Sequence, residues 1–405
     1  MAYDFTTVHR RTDGDSAGSG VGSGKWETMA QLGYGGDQDV LPFSVADMDF
    51  VVPQEIRDAL NDCLDRSNLG YCHMTADYKD SVCRWMRERR GWDAKPEWLV
   101  PTHGCVDAFF TAVKTFTKPG EGVMLITPVY YPMYKSINRN DRVLVESPLI
   151  RDEEHLTYNI DWADFERKAQ DPNTQLLILC SPHNPVSRVW TRQELERVDR
   201  ICRENGVYVV SDEIHHDLIM PGHVHTVFAS LSQEAEQNCM VLTAGSKTFN
   251  LAGLETSNIF IPDPARRQAF TTELLTNCSY ARCGMLGWVA TKAAYDKLGP
   301  WLDECIGVID ANRKLVTEFF AKEFPQIKVY DLQATYLLWM DWRGLGLDYK
   351  ELERINQHEA GLIFDEGYVF GAQGEGFERW DLAVPTEYVQ KGLERMKKAY
   401  APYLK

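Results

Sequence analysis

The sequence lacks any apolar run long enough to cross a membrane. A membrane-spanning helix needs about 20 mainly apolar residues, and no stretch of the 405 residues approaches that length. The chain begins with the polar residues Met1-Ala2-Tyr3-Asp4 and has no apolar core of a secretory signal. These absences predict a cytoplasmic protein with no membrane partner.

Clustered positive charge is absent as well. Acidic residues outnumber basic ones, with 59 Asp and Glu against 43 Lys and Arg, and the formal net charge is −16. No block of Lys and Arg offers the phosphate contacts on which nucleic-acid affinity depends. The charge pattern therefore predicts no nucleic-acid partner.

Paired cysteine motifs are missing too. The ten cysteines are scattered without a C-x-x-C pair, which favours reduced core thiols over a disulfide framework. Hydrophobic residues make up 44% of the chain and charged residues 25%. This composition is typical of a globular protein, and the length suffices for one large core and a smaller domain.

Short β-rich runs alternate with amphipathic stretches between about residues 50 and 290. Helix candidates such as residues 106–116 and 192–205 lie between the runs. The strand candidates are residues 123–126, 143–145, 176–179, 207–210, 240–242 and 258–261. This alternation predicts an α/β fold whose large domain has a mostly parallel sheet flanked by helices.

The pattern changes near both ends of the chain. A Gly/Ser-rich stretch over residues 13–24 predicts a flexible N-terminal arm. The C-terminal part predicts a long helix over 292–324, strands at 328–330, 336–340 and 380–384, a helix near 349–359 and a terminal helix from Thr386. We therefore expect an arm within residues 1–49 that is part of the small domain, a large domain over 50–290, and a smaller α+β C-terminal domain over 291–405.

Three polar side chains follow strand-like runs. Asn184 comes after the run that ends at Cys180. Asp212 closes the strand that starts at Val207, and Lys247 lies just beyond the run that ends near Thr243. Because ligands of doubly wound sheets bind beyond the carboxyl ends of the strands, we expect all three at one crevice. A lysine able to form an imine, a buried carboxylate and an amide are what a pyridine-aldehyde cofactor needs.

The residues around these three positions resemble those of the fold-type I pyridoxal-phosphate enzymes, the aspartate aminotransferase superfamily. The flanking sequences are similar to the cystathionine β-lyase branch, the bacterial C-S lyases, over nearly the whole chain. They are Val45-Ala46-Asp47-Met48-Asp49-Phe50, Ser181-Pro182-His183-Asn184-Pro185, Ser211-Asp212-Glu213-Ile214-His215 and Ser246-Lys247-Thr248-Phe249-Asn250. The resemblance implies a pyridoxal 5'-phosphate cofactor and the cleavage of cysteine thioethers to a thiol, pyruvate and ammonia.

The resemblance also implies which residues hold the cofactor. Lys247 would carry it as a Schiff base, Asp212 would pair with the pyridinium nitrogen, and Asn184 would bond the ring oxygen. Tyr130 would stack on the ring, and His215 stands where aminotransferases have a ring-oxygen Tyr. The phosphate would be bound by the helix start at Gly104, Cys105 and Val106, by Ser246, and by Tyr71 of a neighbouring subunit.

On the substrate side, the resemblance implies that Arg379 clamps the α-carboxylate of an amino acid, a group that suits a bidentate guanidinium. Ala46 and Asn184 would lie beside it. Lys247 would remove the Cα proton, and Tyr130 or Tyr71 would protonate the departing sulfur. Because Tyr71 would act on the neighbouring site, the resemblance implies a homodimer.

Two positions depart from the aminotransferase pattern besides His215. Ser187 replaces the usual Gly of the Asn-Pro-x-Gly-Arg motif, and Glu255 replaces a phosphate-binding Arg. These departures favour a lyase over a standard aminotransferase. An aminotransferase and a pyridoxal-phosphate-binding regulator remain the alternatives.

Two further motifs suggest other ligands. The acidic and histidine residues over 212–225 resemble a zinc or iron site, which leaves a metal hydrolase as another class, although the leading hypothesis uses no metal. Gly22-Ser23-Gly24-Lys25 suggests a phosphate loop. The phosphate-loop motif would need Gly at position 19 and Ser or Thr at position 26, where the chain has Ser19 and Trp26.

Overall fold

The computed structural model describes residues 2–7, 23–25, 40–277 and 283–403. The predicted flexible arm over residues 13–24 lies outside the described residues except for its last two positions. The strands in the described part, in chain order, are β1 (Leu41–Pro42), β2 (Leu99–Thr102), β3 (Gly122–Thr127), β4 (Val143–Pro148), β5 (Ile150–Asp152), β6 (Thr157–Asn159), β7 (Thr174–Cys180), β8 (Tyr208–Asp212), β9 (Cys239–Thr243), β10 (Ser257–Phe260), β11 (Lys328–Val329), β12 (Leu337–Asp341), β13 (Leu362–Ile363), β14 (Asp365–Glu366) and β15 (Phe377–Asp381).

Helices cover both faces of the main sheet. Those of the described part are α1 (Gln54–Arg66), α2 (Ala76–Arg90), α3 (Cys105–Phe116), α4 (Tyr131–Asn138), α5 (Trp162–Ala169), α6 (Arg192–Glu204), α7 (Gln233–Gln237), α8 (Gly245–Thr248), α9 (Pro264–Asn277), α10 (Met285–Lys297), α11 (Gly299–Glu323), α12 (Tyr349–Arg354) and α13 (Thr386–Tyr400). None of these is long and apolar enough to span a membrane. The nine cysteines in the described ranges are free thiols.

The main sheet has seven strands in the order β2-β10-β9-β8-β7-β3-β4. Strands β4, β3, β7, β8 and β9 run parallel. Every residue of β3, β8 and β9 is buried, as expected for apolar strands covered by helices on both faces. The predicted α/β fold with a mostly parallel sheet is therefore confirmed.

One edge of this sheet departs from the parallel pattern. β10, the strand predicted at 258–261, pairs antiparallel with both β9 and β2. β2 was not predicted, because it has only four residues and contains Pro101. A proline lacks the N–H of a ladder bond and is tolerated at a sheet edge, which is where β2 lies.

A second sheet of four strands, in the order β11-β12-β15-β14, is antiparallel. β1 pairs in parallel with β13 and so joins the chain near residue 41 to this C-terminal part. Residue 43 continues the contact, since Asp381 N donates to Phe43 O at 2.9 Å. The segment that follows β1 therefore lies against β15 of this sheet.

Three predicted elements of the C-terminal part have different bounds in the structure. The predicted helix over 292–324 is two helices, α10 and α11, because the helix is interrupted at Leu298 and Pro300 lies in the first turn of the second one. The helix near 349–359 is α12 followed by a π-helical turn, Ile355–Ala360. The strand predicted at 380–384 is Phe377–Asp381, because the Asp381 side chain accepts from Ala383 N at 2.8 Å and turns the chain.

Candidate active site

A cavity of about 240 Å³ lies beyond the carboxyl ends of the parallel strands. It brings together most of the residues that the sequence predicted. The predicted residues that line it are Ala46, Gly104, Cys105, Val106, Tyr130, Asn184, Asp212, His215, Ser246 and Lys247. The two others, Arg379 and Tyr71, lie beside it: Arg379 contacts Asn184, and Tyr71 lines a neighbouring cavity.

Lys247 enters the cavity from α8, a short helix that starts two residues after β9 ends. Its Nζ donates a hydrogen bond to Ala46 O at 2.7 Å. Burial lowers the pKa of the Lys247 amine, and Arg379 lowers it further, against the opposite effect of Asp47. A lysine with a lowered pKa is available as a neutral amine, which is the form that acts as nucleophile or base.

Asp212 is the last residue of β8, in the middle of the main sheet. Its side chain is 3% exposed, and Oδ1 accepts from Ile214 N at 3.3 Å. Burial raises the pKa of this carboxyl to about 7. A cation placed against Asp212 would stabilise its ionised form, so the site suits a protonated ring nitrogen.

Asn184 and Arg379 meet at one wall of the cavity. Asn184 lies four residues after β7 ends, and its Oδ1 accepts from Arg379 Nη1 at 2.9 Å. Arg379 comes from β15, is 3% exposed, and lies over the Phe370 ring at 4.5 Å. The guanidinium also binds Asp365. A buried arginine in this position can bind a carboxylate that enters from the cavity.

The start of α3, which lines the same cavity, has the features of an anion site. α3 begins at Cys105, directly after Gly104, whose φ of 128° is a conformation that glycine adopts without strain. The first backbone N–H groups of this 12-residue helix have no intrahelical partners and lie at the positive end of the helix dipole. Ser246 adds a hydroxyl to the same cavity. These groups fit a phosphate.

Tyr130 and His215 complete the walls. Tyr130 is the N-cap residue of α4, and burial raises the pKa of its phenol, which keeps it protonated. His215 is 3% exposed, and burial holds the pKa of its imidazole well below the usual range, so the ring is neutral. His215 Nδ1 is buried and has no hydrogen-bond partner within the described residues. This polar atom on the cavity wall fits a cofactor with a polar ring substituent.

The residues present therefore fit pyridoxal phosphate. Lys247 offers the amine, Asp212 the carboxylate for a ring nitrogen, and the start of α3 the phosphate cradle. Asn184 and His215 offer polar groups for the ring oxygen.

The departures noted in the sequence have distinct structural roles. Ser187 adopts a left-handed φ of 57°, the conformation for which glycine is favoured. Its backbone carbonyl accepts from Gln333 N and Ala334 N, both at 3.2 Å. Glu255 is exposed and lines the cavity, as does His103. An acidic residue there offers no support to a phosphate.

Glu213 and His225, within the stretch 212–225, take part in hydrogen bonds within the protein. Glu213 accepts from Ser211 Oγ and Phe228 N, each at 2.9 Å, and lies 2.8 Å from His225 Nε2. Within the ranges that the structure describes, no group of three or more His, Cys, Asp or Glu residues is arranged to hold a metal ion. The proposed zinc or iron site finds no support there.

Two residues that contact the site were not assigned a role from the sequence, and a third, Lys25, was considered only as part of a phosphate loop. Tyr336 donates to Ala46 O at 2.9 Å, and Asp365 binds Arg379. Lys25 is buried and donates to Asp47 O at 3.0 Å. Lys25 therefore anchors the segment beside Ala46, and its role is an ion-paired support and not a phosphate loop. Only the resemblance to a known family over the N-terminal segment could have indicated it.

Comparisons with known proteins agree with this geometry. The chain is 41% identical to cystathionine beta-lyase PatB of Bacillus subtilis over 380 residues, which are 94% of this chain and 97% of that protein. Its structure is similar to that of cystalysin from Treponema denticola, which contains a pyridoxal 5'-phosphate cofactor. The TM-score is 0.94, the identity 42%, and the match covers 99% of this chain and 100% of that one.

A third similarity is to a pyridoxal-phosphate-bound C-S lyase from Staphylococcus hominis. The TM-score is 0.86 at 30% identity, and both chains are covered completely, at 100%. The family model "Aminotransferase class I and II" matches residues 38–396. The chain therefore belongs to the class I and II aminotransferase family.

Proposed function

We propose that this protein is a pyridoxal-phosphate-dependent C-S β-lyase that cleaves cysteine thioethers to a thiol, pyruvate and ammonia. The observation that carries the proposal is the convergence of Lys247, Asp212 and the Asn184–Arg379 pair on one cavity. Relatives that share this chain's length and fold are named as cystathionine β-lyase and C-S lyase. The departures at Ser187, His215 and Glu255 favour the same activity.

In this proposal the cofactor is held by Lys247, Asp212, Asn184, Tyr130, His215 and Ser246, with Gly104, Cys105 and Val106 at its phosphate. When bound, pyridoxal phosphate withdraws electrons from the Cα of an amino acid, so that the Cα proton can be removed and a group on Cβ expelled. Ionised Asp212 keeps a proton on the ring nitrogen, because a buried carboxylate stabilises an adjacent cation. Side chains of the protein bind the substrate and transfer the protons.

Arg379 binds the substrate carboxylate, and Asn184 fixes the guanidinium that does so. Lys247 takes the Cα proton onto Nζ, and burial, which lowers the pKa of its amine, favours the neutral form that can do so. The bond from Nζ to Ala46 O holds the lysine in place. Tyr130 stays protonated, because burial raises the pKa of its phenol, and can donate a proton to the departing thiolate.

We propose that a second copy of the chain completes the site. Tyr71 is 96% exposed, yet the cavity that it lines shares His103 and Glu255 with the active-site cavity. A tyrosine so placed on one subunit can reach the phosphate end of another subunit's site. We therefore propose a homodimer in the cytoplasm, with an N-terminal arm in 1–49, a large domain over 50–290 and a small domain over 291–405.

The test is pyruvate release from L-cystathionine by the purified holoenzyme without any added 2-oxo acid. A β-lyase releases pyruvate and thiol in equal amounts. An aminotransferase forms no thiol from this substrate and needs a 2-oxo acid acceptor. A protein that binds the cofactor but yields neither product would instead be a regulator.

Lys247→Ala gives the second test. We expect loss of turnover together with loss of the visible absorbance band of the lysine-bound cofactor. Turnover retained by this variant would refute the proposal. Tyr71→Phe, mixed with the Lys247→Ala chain, tests whether Tyr71 acts across subunits: the mixture contains one intact composite site only if the tyrosine comes from the other chain.

A further inference from the structure

The backbone before Ala46 is held by a series of hydrogen bonds that ends on a side chain. β1 pairs in parallel with β13, and the pairing continues from Phe43 N to Ile363 O at 2.7 Å. Two residues later, Val45 N donates to Oδ2 of Asp365 at 3.0 Å, in place of a backbone carbonyl. The Asp365 carboxylate therefore fixes the point where this strand-like segment ends.

Val45 adopts a conformation that needs such support. Its φ is 60°, in the left-handed region, where a β-branched residue is unfavourable. Asp47 N donates back to Val45 O at 2.9 Å, so the chain turns at Ala46. The turn directs Ala46 O toward Lys247 Nζ at 2.7 Å and Tyr336 Oη at 2.9 Å. Strained backbone of this kind persists where surrounding contacts hold it.

The same carboxylate oxygen holds Arg379. Asp365 and Arg379 are cross-strand partners in β14 and β15, and Oδ2 accepts from both Nε, at 3.2 Å, and Nη2. Nη1 donates to Asn184. One oxygen atom thus joins the guanidinium on one side to the backbone N–H of Val45 on the other.

We propose that Asp365 is a positioning residue that sets two parts of the site at once. It orients Arg379 toward the substrate carboxylate and, through Val45 N–H, it fixes the turn that aims the Ala46 carbonyl at Lys247. The inference rests on the proposed function for the roles of Arg379 and Lys247. It predicts that the carboxylate clamp and the orientation of the lysine are coupled through one side chain.

Two substitutions of Asp365 separate its charge from its hydrogen bond. Asp365→Asn removes the charge, but its single carbonyl oxygen can still accept from Val45 N. Asp365→Ala removes both. We expect both variants to weaken substrate binding at Arg379, with KM raised about tenfold because a hydrogen bond between charged groups is lost. We expect a further loss of kcat, about tenfold, only in the Ala variant.

A second substitution tests the backbone part directly. Glycine adopts a positive φ without support, so Val45→Gly introduced into Asp365→Ala should restore most of kcat and leave KM high. Val45→Pro in the otherwise wild-type protein should disrupt the turn, because proline has no N–H to donate to Asp365 and its φ is fixed near −65°. We expect it to lower kcat while KM stays near the wild-type value.

The position of the Lys247 nitrogen can be read without turnover. The visible absorbance of the holoenzyme, titrated with pH, follows protonation at that nitrogen. The negative end of the Ala46 carbonyl favours the protonated form. The titration midpoint should therefore move to lower pH in both Asp365 variants, further in Asp365→Ala than in Asp365→Asn, and Val45→Gly should remove the difference.

Asp341 offers a matched control in the same sheet. It accepts from Arg343 N and from the Arg343 guanidinium, as Asp365 does with Val45 and Arg379, but at the far end of β12. Asp341→Asn should leave KM, kcat and the absorbance titration unchanged. If Asp341→Asn changes KM, kcat and the titration as much as Asp365→Asn does, then any buried carboxylate that pairs with an arginine has this effect. That result would overturn the proposal.

Two other results would overturn the proposal. One is that Asp365→Asn and Asp365→Ala have equal kcat values. The other is that Val45→Gly, introduced into Asp365→Ala, restores neither kcat nor the titration midpoint. Substrate affinity is measured in parallel from the absorbance change with L-alanine, which has the same carboxylate and amine but no leaving group on Cβ. If the wild-type protein releases no pyruvate, the proposed lyase function fails. The absorbance titration and L-alanine affinity still decide the role of Asp365.

Discussion

Arg379 Nη1 and Asn184 Oδ1 are joined by a hydrogen bond of 2.9 Å across 195 positions of sequence. Because arginine only donates, the contact fixes the orientation of the Asn184 amide. The amide oxygen faces Arg379, and the amide N–H₂ group remains as a donor on the cavity. One side chain therefore links the substrate-carboxylate end of the site to the cofactor-ring end.

Asn184→Ala removes this link. We expect KM for L-cystathionine to rise about tenfold, because Arg379 loses a charge-assisted acceptor. Cofactor affinity should fall as well, because the donor on the ring side is lost. Steady-state kinetics and cofactor titration measure both. Asn205→Ala, at the end of α6 where the amide only caps Ile201 O, is the control and should change neither.

Lys25→Met tests the buried support of the N-terminal segment. Lys25 Nζ lies 3.0 Å from Asp49 and 3.2 Å from Asp381, and the lysine is 2% exposed. Burial acts to lower the pKa of Lys25, but Asp381 and Asp49 outweigh it and the pKa is raised, so the lysine is charged. Its loss removes the positive charge that Asp381 and Asp49 face in the interior, which costs about 3 kcal/mol.

The thermal midpoint should fall accordingly. Lys95→Met is the control, since Lys95 is paired with Asp93 at the exposed surface, where an ion pair contributes little. Adding Asp381→Asn to Lys25→Met should recover part of the loss. A Lys25→Met protein as stable as Lys95→Met would contradict the assignment.

Glu366 and Glu378 predict a pH dependence of stability. They are cross-strand neighbours in β14 and β15, and Oε2 of each is buried without a partner in the described part of the chain. Burial, with Glu353 and Asp365 nearby, raises the pKa of Glu366 to about 8 and raises that of Glu378. Between pH 4.5 and 8 the folded protein holds protons that the unfolded chain releases, so stability falls as pH rises.

Glu378→Gln should flatten this slope, because an amide stays neutral across the range. Thermal midpoints at pH 5, 6, 7 and 8 for the wild type and the variant measure it. The variant should be more stable than the wild type at pH 8, and the advantage should shrink toward pH 5. Parallel curves would show that the pair does not take up the proton.

The left-handed conformation of Ser187 predicts that its glycine variant is more stable than its alanine variant. Its φ of 57° disfavours any side chain, whereas its Oγ donates to Leu337 O. Ser187→Gly removes the strain and the bond together, so we expect stability to change by less than about 1 kcal/mol. Ser187→Ala keeps the strain and loses the bond and should be the less stable of the two. Urea midpoints give the order, and an Ala variant above Gly would refute this account.

Much of the fold and of the site could be predicted from local patterns. The apolar runs of β3, β7, β8 and β9 predicted a buried parallel sheet, because strands covered on both faces show no polar alternation. Asp212 ends one of these strands and Lys247 lies four residues beyond the end of another, so sheet geometry alone predicted that they lie at the same edge. The strand β10 was predicted, but its antiparallel direction was not, since direction depends on connections, and the proline-containing edge strand β2 was not predicted because it is short.

The sequence by itself determined the chemistry of the site: a lysine, a carboxylate and an amide at the ends of buried strands, with an arginine supplied by the C-terminal part. Only the tertiary structure decided how these groups are held. The Asp365 contact with Val45 joins residues 320 positions apart, and the Lys25 contact with Asp381 joins residues 356 apart. No local pattern encodes such contacts, because their energy comes from burial and hydrogen-bond geometry that exist only after the chain has folded.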